Sequence, residues 1–262
     1  MMRATGPTLI EETRMPTIAD KRARFRALHD SGFFIIPNAW DAGSATRLAA
    51  LGFKAIASTS AGAAWAAGKE DGELGRDAVL AHLRDLIAAT DLPVNADFEN
   101  GFADDAGGVA ANVALAVATG VAGLSIEDWS GTHMYEAGHA AERIAAARAA
   151  IDATDPAVML IGRSENFRVP GMPAADSIAR AVAYAEAGAD CLFVPFILDH
   201  GAVAELVAAV APKPVNVVVQ AFDSIPGYAA LGVRRCSVGG SLAGAAWKGF
   251  DAAAAALKGC EP

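Results

Sequence analysis

Short apolar runs rich in β-branched and aromatic residues alternate along this chain with longer stretches whose apolar positions recur at helical spacing. The runs are Phe33–Ala39, Lys54–Ser60, Pro93–Asp97, Val121–Glu127, Val158–Gly162, Cys191–Pro195, Val215–Val219 and Val233–Val238, eight in all. Each predicts a strand. The stretches between them include Gly43–Leu51, Asp77–Ala89, Gly107–Thr119, Ala140–Asp152, Ser177–Ala187 and Gly201–Val210, and these predict helices. Several stretches stop on Gly just before the next run, at Gly52, Gly120, Gly188 and Gly232. Gly there can take the left-handed conformation that closes a helix. Residues 19–30 predict a short amphipathic helix with Phe25 and Leu28 on one face, and residues 241–258 an Ala-rich one carrying Trp247 and Phe250. Residues 1–18 mix Thr, Pro and charge without a period and read as a loose tail, leaving 19–262 as a single domain.

Strands that alternate with helices imply parallel βαβ units with right-handed crossovers. Eight such units close into a (β/α)8 barrel. The competing open sheet that binds a dinucleotide would carry GxGxxG after a strand, and no GxG occurs anywhere in the chain. The length of 262 residues suits one barrel.

Composition narrows the function. With 53% hydrophobic and 19% charged residues, disorder is excluded for most of the chain. A net charge of −9 argues against a nucleic-acid groove or an anionic membrane surface as partner. The three cysteines, Cys191, Cys236 and Cys260, form no CxxC, so neither a disulfide framework nor a thiolate zinc site is encoded. No apolar run reaches the ~20 residues of a membrane span, and the first residues lack an apolar leader core, so the expectation is a cytoplasmic protein.

Reactive groups in a barrel of this kind gather at the C-terminal ends of the strands. The polar segments there include Asn38-Ala39-Trp40-Asp41, Ser58-Thr59-Ser60-Ala61-Gly62, Asn95-Ala96-Asp97-Phe98-Glu99-Asn100, Glu127-Asp128-Trp129, Arg163-Ser164-Glu165-Asn166 and Gly239-Gly240-Ser241. Asp41 also fits a plain helix cap, and Gly239-Gly240 a tight turn as well as an anion-holding helix start. Asp97 and Glu127 stand within or at the tip of apolar strands, where an unpaired carboxylate is costly. Neighbouring parallel strands lie about 4.8 Å apart, so the two side chains could converge on one ion. Hard oxygen ligands without His or Cys nearby favour Mg²⁺, or Mn²⁺, over zinc. The competing explanation is a charge network with Arg163. Arg163 itself fits either a structural counter-ion or a bidentate clamp on a substrate carboxylate or phosphonate. No HExxH, GxSxG or P-loop is present. Trp65, Trp129 and Trp247 read as packing residues.

Four stretches together resemble the isocitrate lyase/phosphoenolpyruvate mutase superfamily, from about residue 20 to residue 255. They are Pro37-Asn38-Ala39-Trp40-Asp41-Ala42-Gly43-Ser44-Ala45; Ser58-Thr59-Ser60-Ala61-Gly62 with Glu70-Asp71-Gly72-Glu73; Ala96-Asp97-Phe98-Glu99-Asn100-Gly101-Phe102; and Ser125-Ile126-Glu127-Asp128 with Gly162-Arg163-Ser164-Glu165. The resemblance implies a (β/α)8 barrel whose last helix is exchanged between subunits of a homotetramer. It also implies Mg²⁺, a 2-oxo acid or its enolate, and C–C or P–C bond chemistry beside a carboxylate. Position by position, it implies that backbone N–H groups of Ser60, Ala61 and Gly62 bind the substrate carboxylate, with Trp40 in the same substrate-binding set. It places Asp71 near substrate and metal and Arg163 on the substrate, both as catalytic residues, with Asp97 and Glu127 in the metal shell.

Three departures stand out. Lyase members carry Asp-Ala-Asp where this chain has Asn95-Ala96-Asp97, and Glu99 is the candidate that offsets the lost charge. Isocitrate and methylisocitrate lyases carry a cysteine loop after the fourth strand, whereas Ser130–Glu136 here contains no Cys. Pro195 and Val218 stand where several lyases place polar substrate ligands. The expected activity is a Mg²⁺-dependent lyase or decarboxylase acting on a small 2-oxo acid or substituted malate through an enolate. P–C chemistry of the phosphonopyruvate mutase or hydrolase kind, and non-catalytic carboxylate binding, are the rival readings.

Overall fold

The computed structural model describes residues 15–260. The tail expected over 1–18 therefore lies largely outside the described residues, and its last residue, Ile18, opens the first helix. Thr17 caps that helix, accepting from the Asp20 N–H while the Asp20 carboxylate accepts from the Thr17 N–H. Nine parallel strands make one sheet: β1 (Phe34–Ile36), β2 (Asn38–Ala39), β3 (Ile56–Ser58), β4 (Val94–Asp97), β5 (Gly123–Glu127), β6 (Met159–Arg163), β7 (Cys191–Phe193), β8 (Val215–Val218) and β9 (Arg235–Ser237). The first predicted run is split at Pro37, which has no N–H for the ladder. Its first piece pairs with β9 through Phe34 and Arg235, its second with β3 through Asn38 and Ala57. The two ends of the sheet thus meet at Pro37, and eight staves make the expected (β/α)8 barrel.

The helices are α1 (Ile18–Asp30), α2 (Ala42–Ala50), α3 (Ser60–Ala66), α4 (Arg76–Ala88), α5 (Ala106–Ala118), α6 (Ala137–Thr154), α7 (Ala174–Glu186), α8 (His200–Val210), α9 (Ile225–Ala230) and α10 (Ser241–Lys258). Two depart from expectation in ways that matter for the site. The second run was expected to remain a strand to Ser60. Instead it ends at Ser58, because Thr59 turns the chain into α3 and its hydroxyl accepts from the Gly62 N–H. Helix α6 begins at Ala137, ahead of the expected Ala140, because the Glu136 carboxylate caps the Gly138 and His139 N–H groups.

The core has two parts. Outward residues of the staves, such as Leu124, Leu160, Leu192 and Val217, pack against the helix layer through Leu83, Val113, Ile144 and Leu206. Inside the lower barrel, Phe34, Ile36, Ala55, Met159 and Ile161 surround Phe25, which α1 inserts from below. Gly123 makes the room: a Cβ there would fall 2.7 Å from the Phe25 ring. Helix α1 is held by cations on carbonyl ends. Lys21 donates to Thr90 O, Arg22 to Val121 O and Val117 O, and Arg26 to Ala157 O and Pro156 O. These carbonyls close the helices and turns that feed β4, β5 and β6, where donors are scarce.

Helix α10 is different. Ala243 is its one buried residue, while Trp247, Phe250 and Leu257 are exposed. Among the described residues, no helix is long and apolar enough to cross a membrane.

Candidate active site

Alternation along the strands puts Asn95 and Asp97 of β4, Ser125 and Glu127 of β5, Arg163 of β6, Asn216 and Val218 of β8, and Arg235 and Ser237 of β9 on the inner side of the barrel. Glu127 and Arg163 stand opposite each other at the upper ends of β5 and β6. The Arg163 guanidinium is the hub. Its Nη1 meets Asp97 Oδ1 at 3.0 Å and Glu127 Oε2 at 3.2 Å, and its Nε donates to Glu165 Oε1. Glu165 in turn accepts from Arg168 Nε at 2.7 Å, and Arg168 faces Asp71 at 3.9 Å. Asp97 also accepts from the Ser60 N–H at 3.0 Å, while its own N–H donates to Ser58 Oγ.

A second buried acid keeps this hub in place from behind. Asp128 accepts from the Glu165 N–H at 2.7 Å, from the Tyr184 hydroxyl at 2.6 Å and from Arg180 at 3.3 Å. It pins the turn after β6, so Glu165 and Arg168 return toward Arg163.

Five carboxylates (Asp71, Asp97, Glu99, Glu127 and Glu165) thus surround two guanidinium groups. Burial and the neighbouring acids both favour the protonated form of the innermost carboxyls. Burial, then Asp97 and Asp71, pushes Glu99 up to about 8. Burial raises Glu127 well above the usual carboxylate range, against the pull of Arg163. Burial disfavours the Arg163 charge, but Glu127, Glu165 and Asp97 outweigh it and hold its proton more firmly than usual.

Two cavities meet at this cluster. One, about 180 Å³, descends into the barrel between Ala57, Ser125, Phe193, Asn216 and Ser237. The other, about 300 Å³, opens at the mouth beside Glu99, Glu127 and Trp129. Ser60, Asp71, Arg163 and Arg168 line both. Arg168 lies over the Trp129 ring at 5.8 Å.

The structure therefore brings together Asp71, Asp97, Glu99, Glu127, Arg163, Ser60 and Ala61. It does not bring Trp40 or Gly62 to either cavity lining. These two pack on each other: a Cβ on Gly62 would fall 2.8 Å from Trp40 Cβ and 3.2 Å from Ala243 Cβ. Ser60 N–H is taken by Asp97 and Gly62 N–H by Thr59 Oγ1. Asp97 and Glu127 do converge, but on Arg163, which serves them as counter-ion. Among the described residues, no group of three or more His, Cys, Asp or Glu side chains forms a ready metal-ligand cluster. Asp41 is the cap of α2, accepting from the Ser44 N–H at 2.6 Å.

Glu165, Arg168 and the Asp128–Tyr184–Arg180 brace were missed in the sequence. The quoted Arg163-Ser164-Glu165 stretch held one signal, a second acid two residues beyond the strand-end Arg.

A polar cluster at the C-terminal ends of the staves is the arrangement of (β/α)8 enzymes. Comparison with known proteins makes the class specific. The sequence model of the phosphoenolpyruvate phosphomutase family matches residues 25–258. The protein Rv1998c of Mycobacterium tuberculosis is 34% identical over 217 residues, covering 82% of this chain and 81% of its own. The 2-methylisocitrate lyase of Escherichia coli is 37% identical over 132 residues, covering 47% of this chain and 43% of the lyase. A crystal structure from Burkholderia cenocepacia, described as that of a candidate lyase/mutase, superposes with a TM-score of 0.88 at 47% identity, covering 92% of this chain and 89% of the other. The chain belongs to the isocitrate lyase/phosphoenolpyruvate mutase superfamily, whose members include lyases and phosphonomutases.

Proposed function

We propose that this protein is a divalent-metal-dependent lyase or decarboxylase that acts on a small 2-oxo acid or substituted malate through an enolate. The observation that carries the reading is the surplus of acid at the cavity mouth, five carboxylates against Arg163 and Arg168. Buried carboxylates that are forced to hold their protons are relieved by a cation. The donor set is all hard oxygen, which fits Mg²⁺, with Mn²⁺ as the alternative. Asp97, Glu127 and Glu99 would hold it. Such an ion, when bound, stabilises the negative charge of an enolate oxygen.

The chain's own residues supply the rest. Arg163 keeps Asp97 and Glu127 oriented. Arg168, less buried than Arg163 and lining both cavities, is the guanidinium best placed to meet an anion entering from solvent. Asp71 stands across from it as the candidate proton carrier. Phe193 lines the inner cavity and Trp129 the outer one, giving each an apolar wall beside the charged cluster.

The description of the matching family model favours a second reading, P–C bond chemistry on the same enolate scaffold. One screen separates them. The full-length protein is incubated with Mg²⁺, Mn²⁺ or chelator and offered oxaloacetate, substituted malates and phosphonopyruvate. Metal-dependent release of carboxylate fragments supports the lyase. Inorganic phosphate from phosphonopyruvate supports the alternative. Tight oxalate binding without turnover across the panel leaves a carboxylate-binding protein.

The unpacked face of α10 supports assembly as well. We propose a homotetramer in which this helix docks on a neighbouring barrel.

A further inference from the structure

The cavity inside the barrel is electrically lopsided. Its upper rim carries Asp71, Asp97, Arg163 and Arg168, whereas its floor carries one charge, that of Arg235. Arg235 is 3% exposed, and among the described residues no carboxylate lies within ion-pair distance of it. Its partners are neutral. Nε donates to Asn216 Oδ1 at 3.1 Å, and Nη1 meets His29 Nε2 at 3.2 Å. His29 Nδ1 is 2.8 Å from Phe25 O, which fixes the tautomer: Nδ1 carries the proton and Nε2 accepts from Arg235. Burial and the adjacent guanidinium keep this imidazole neutral. Among the described residues, the arrangement leaves Arg235 Nη2 without a hydrogen-bond partner.

Two residues along the same strand, Ser237 faces the same cavity. Its Oγ accepts from Asn216 Nδ2 at 3.1 Å, so its own proton is left to donate. Asn216 is oriented by the pair of bonds it makes, oxygen to Arg235 and nitrogen to Ser237. A buried guanidinium without an acid is strongly disfavoured unless an anion joins it. The space above it is walled by Ala57, Ser125 and Phe193, none of which is charged.

We propose that Arg235 and Ser237 form an anion subsite at the cavity floor that takes a carboxylate of the substrate. The acids at the rim are each met by Arg163 or Arg168, whereas Arg235 has no acid, so the floor is where a carboxylate is drawn. The ligand is thereby oriented, with its opposite end presented to the cluster around Asp97 and Glu127. This deepens the proposed function by saying where the substrate carboxylate goes, yet the binding itself requires no turnover.

The test is equilibrium binding of pyruvate to the full-length protein in chelator, read by calorimetry. Arg235→Gln keeps a polar side chain and removes the charge. It should weaken pyruvate at least about tenfold, the order of factor that a charge-assisted hydrogen bond contributes. Ser237→Ala should weaken it by less. Equal affinity in Arg235→Gln and the unaltered protein would overturn the proposal. So would chloride that cannot be displaced by pyruvate, since the floor would then hold a resident inorganic ion.

Loss of a buried Arg can unfold a barrel, so a second measurement uses unaltered protein crystals soaked in pyruvate without divalent metal. A carboxylate within hydrogen-bond distance of Arg235 Nη2 and Ser237 Oγ supports the subsite. Pyruvate found only at the mouth beside Arg168, or none bound, overturns it. Carboxylate binding at Arg235 with no turnover across the substrate panel would sink the proposed activity and leave the subsite standing.

Discussion

Arg163 answers three carboxylates at once, and the loss of any one leaves the other two in place. Asp97→Ala should therefore fold normally and yet lose metal-dependent turnover by about a hundredfold or more, as happens when a group that stabilises transition-state charge is removed. Unchanged turnover with unchanged metal dependence would remove Asp97 from the site. His29 supports a prediction in pH. Its folded pKa is lowered to about 3 by burial and by Arg235, against 6.5 for a free imidazole. The unfolded chain then binds the extra proton first, so this contribution to stability is intact above about pH 6.5 and drains away as the pH falls toward 3, by about 1.4 kcal/mol per pH unit. Denaturant titrations of His29→Gln should show a shallower acid slope than the unaltered protein, and parallel slopes would contradict it. The same physics governs what could be read from the sequence. Asp97, Glu127 and Arg163 were legible because charge in an apolar strand has no inexpensive explanation. Glu165 and Arg168 were not, since charge in a turn costs nothing until Asp128 and Tyr184 fold that turn back over the barrel mouth.

At the scale of elements, the eight staves and most of the helices were legible from periodicity and terminal glycines. What escaped were elements made by capping rather than by pattern. Helix α3 exists because the Thr59 hydroxyl meets the Gly62 N–H, within a run of small residues that carries no amphipathic signal. Its formation consumes N–H groups that a loop would have offered to an anion. Helix α1 was legible as amphipathic through Phe25, but its cationic hooks into the barrel's lower rim depend on carbonyls far away in sequence. Gly123→Ala tests that docking. A methyl group 2.7 Å from the Phe25 ring and 2.9 Å from Asn95 Oδ1 must displace both or shift the strand. The expected loss is about 1–3 kcal/mol in a chemical denaturation midpoint analysis. The Ser130–Glu136 segment supports a different test. Ser130 Oγ there meets the ring of His133, and no thiol is available to protonate a released enolate. Turnover of isocitrate or 2-methylisocitrate should accordingly be far below the roughly 10 per second of an ordinary enzyme. A rate of that size would overturn the assignment of substrate class.

At the scale of the molecule, the exposed face of α10 points to assembly. Trp247 and Phe250 stack edge to face at 5.9 Å on a helix with a single buried residue. Replacing both with Glu should leave the circular dichroism of the barrel unchanged while light scattering falls from tetramer to a smaller species. An unaltered protein that scatters as a monomer at micromolar concentration would refute the assembly itself. The junction at Pro37 has a consequence for biosynthesis. Phe34 leaves the ribosome long before its ladder partner, Arg235. Until Arg235 emerges the nascent sheet therefore has two bare edges, each able to recruit strands from other chains. The hooks of α1 on Val117, Val121 and Ala157 can engage well before that, tethering the growing lower rim while the gap waits. A transcript broken anywhere before the codon for Arg235 yields an unclosed sheet and should appear in inclusion bodies, whereas one that ends just beyond Ser237 already encodes every stave.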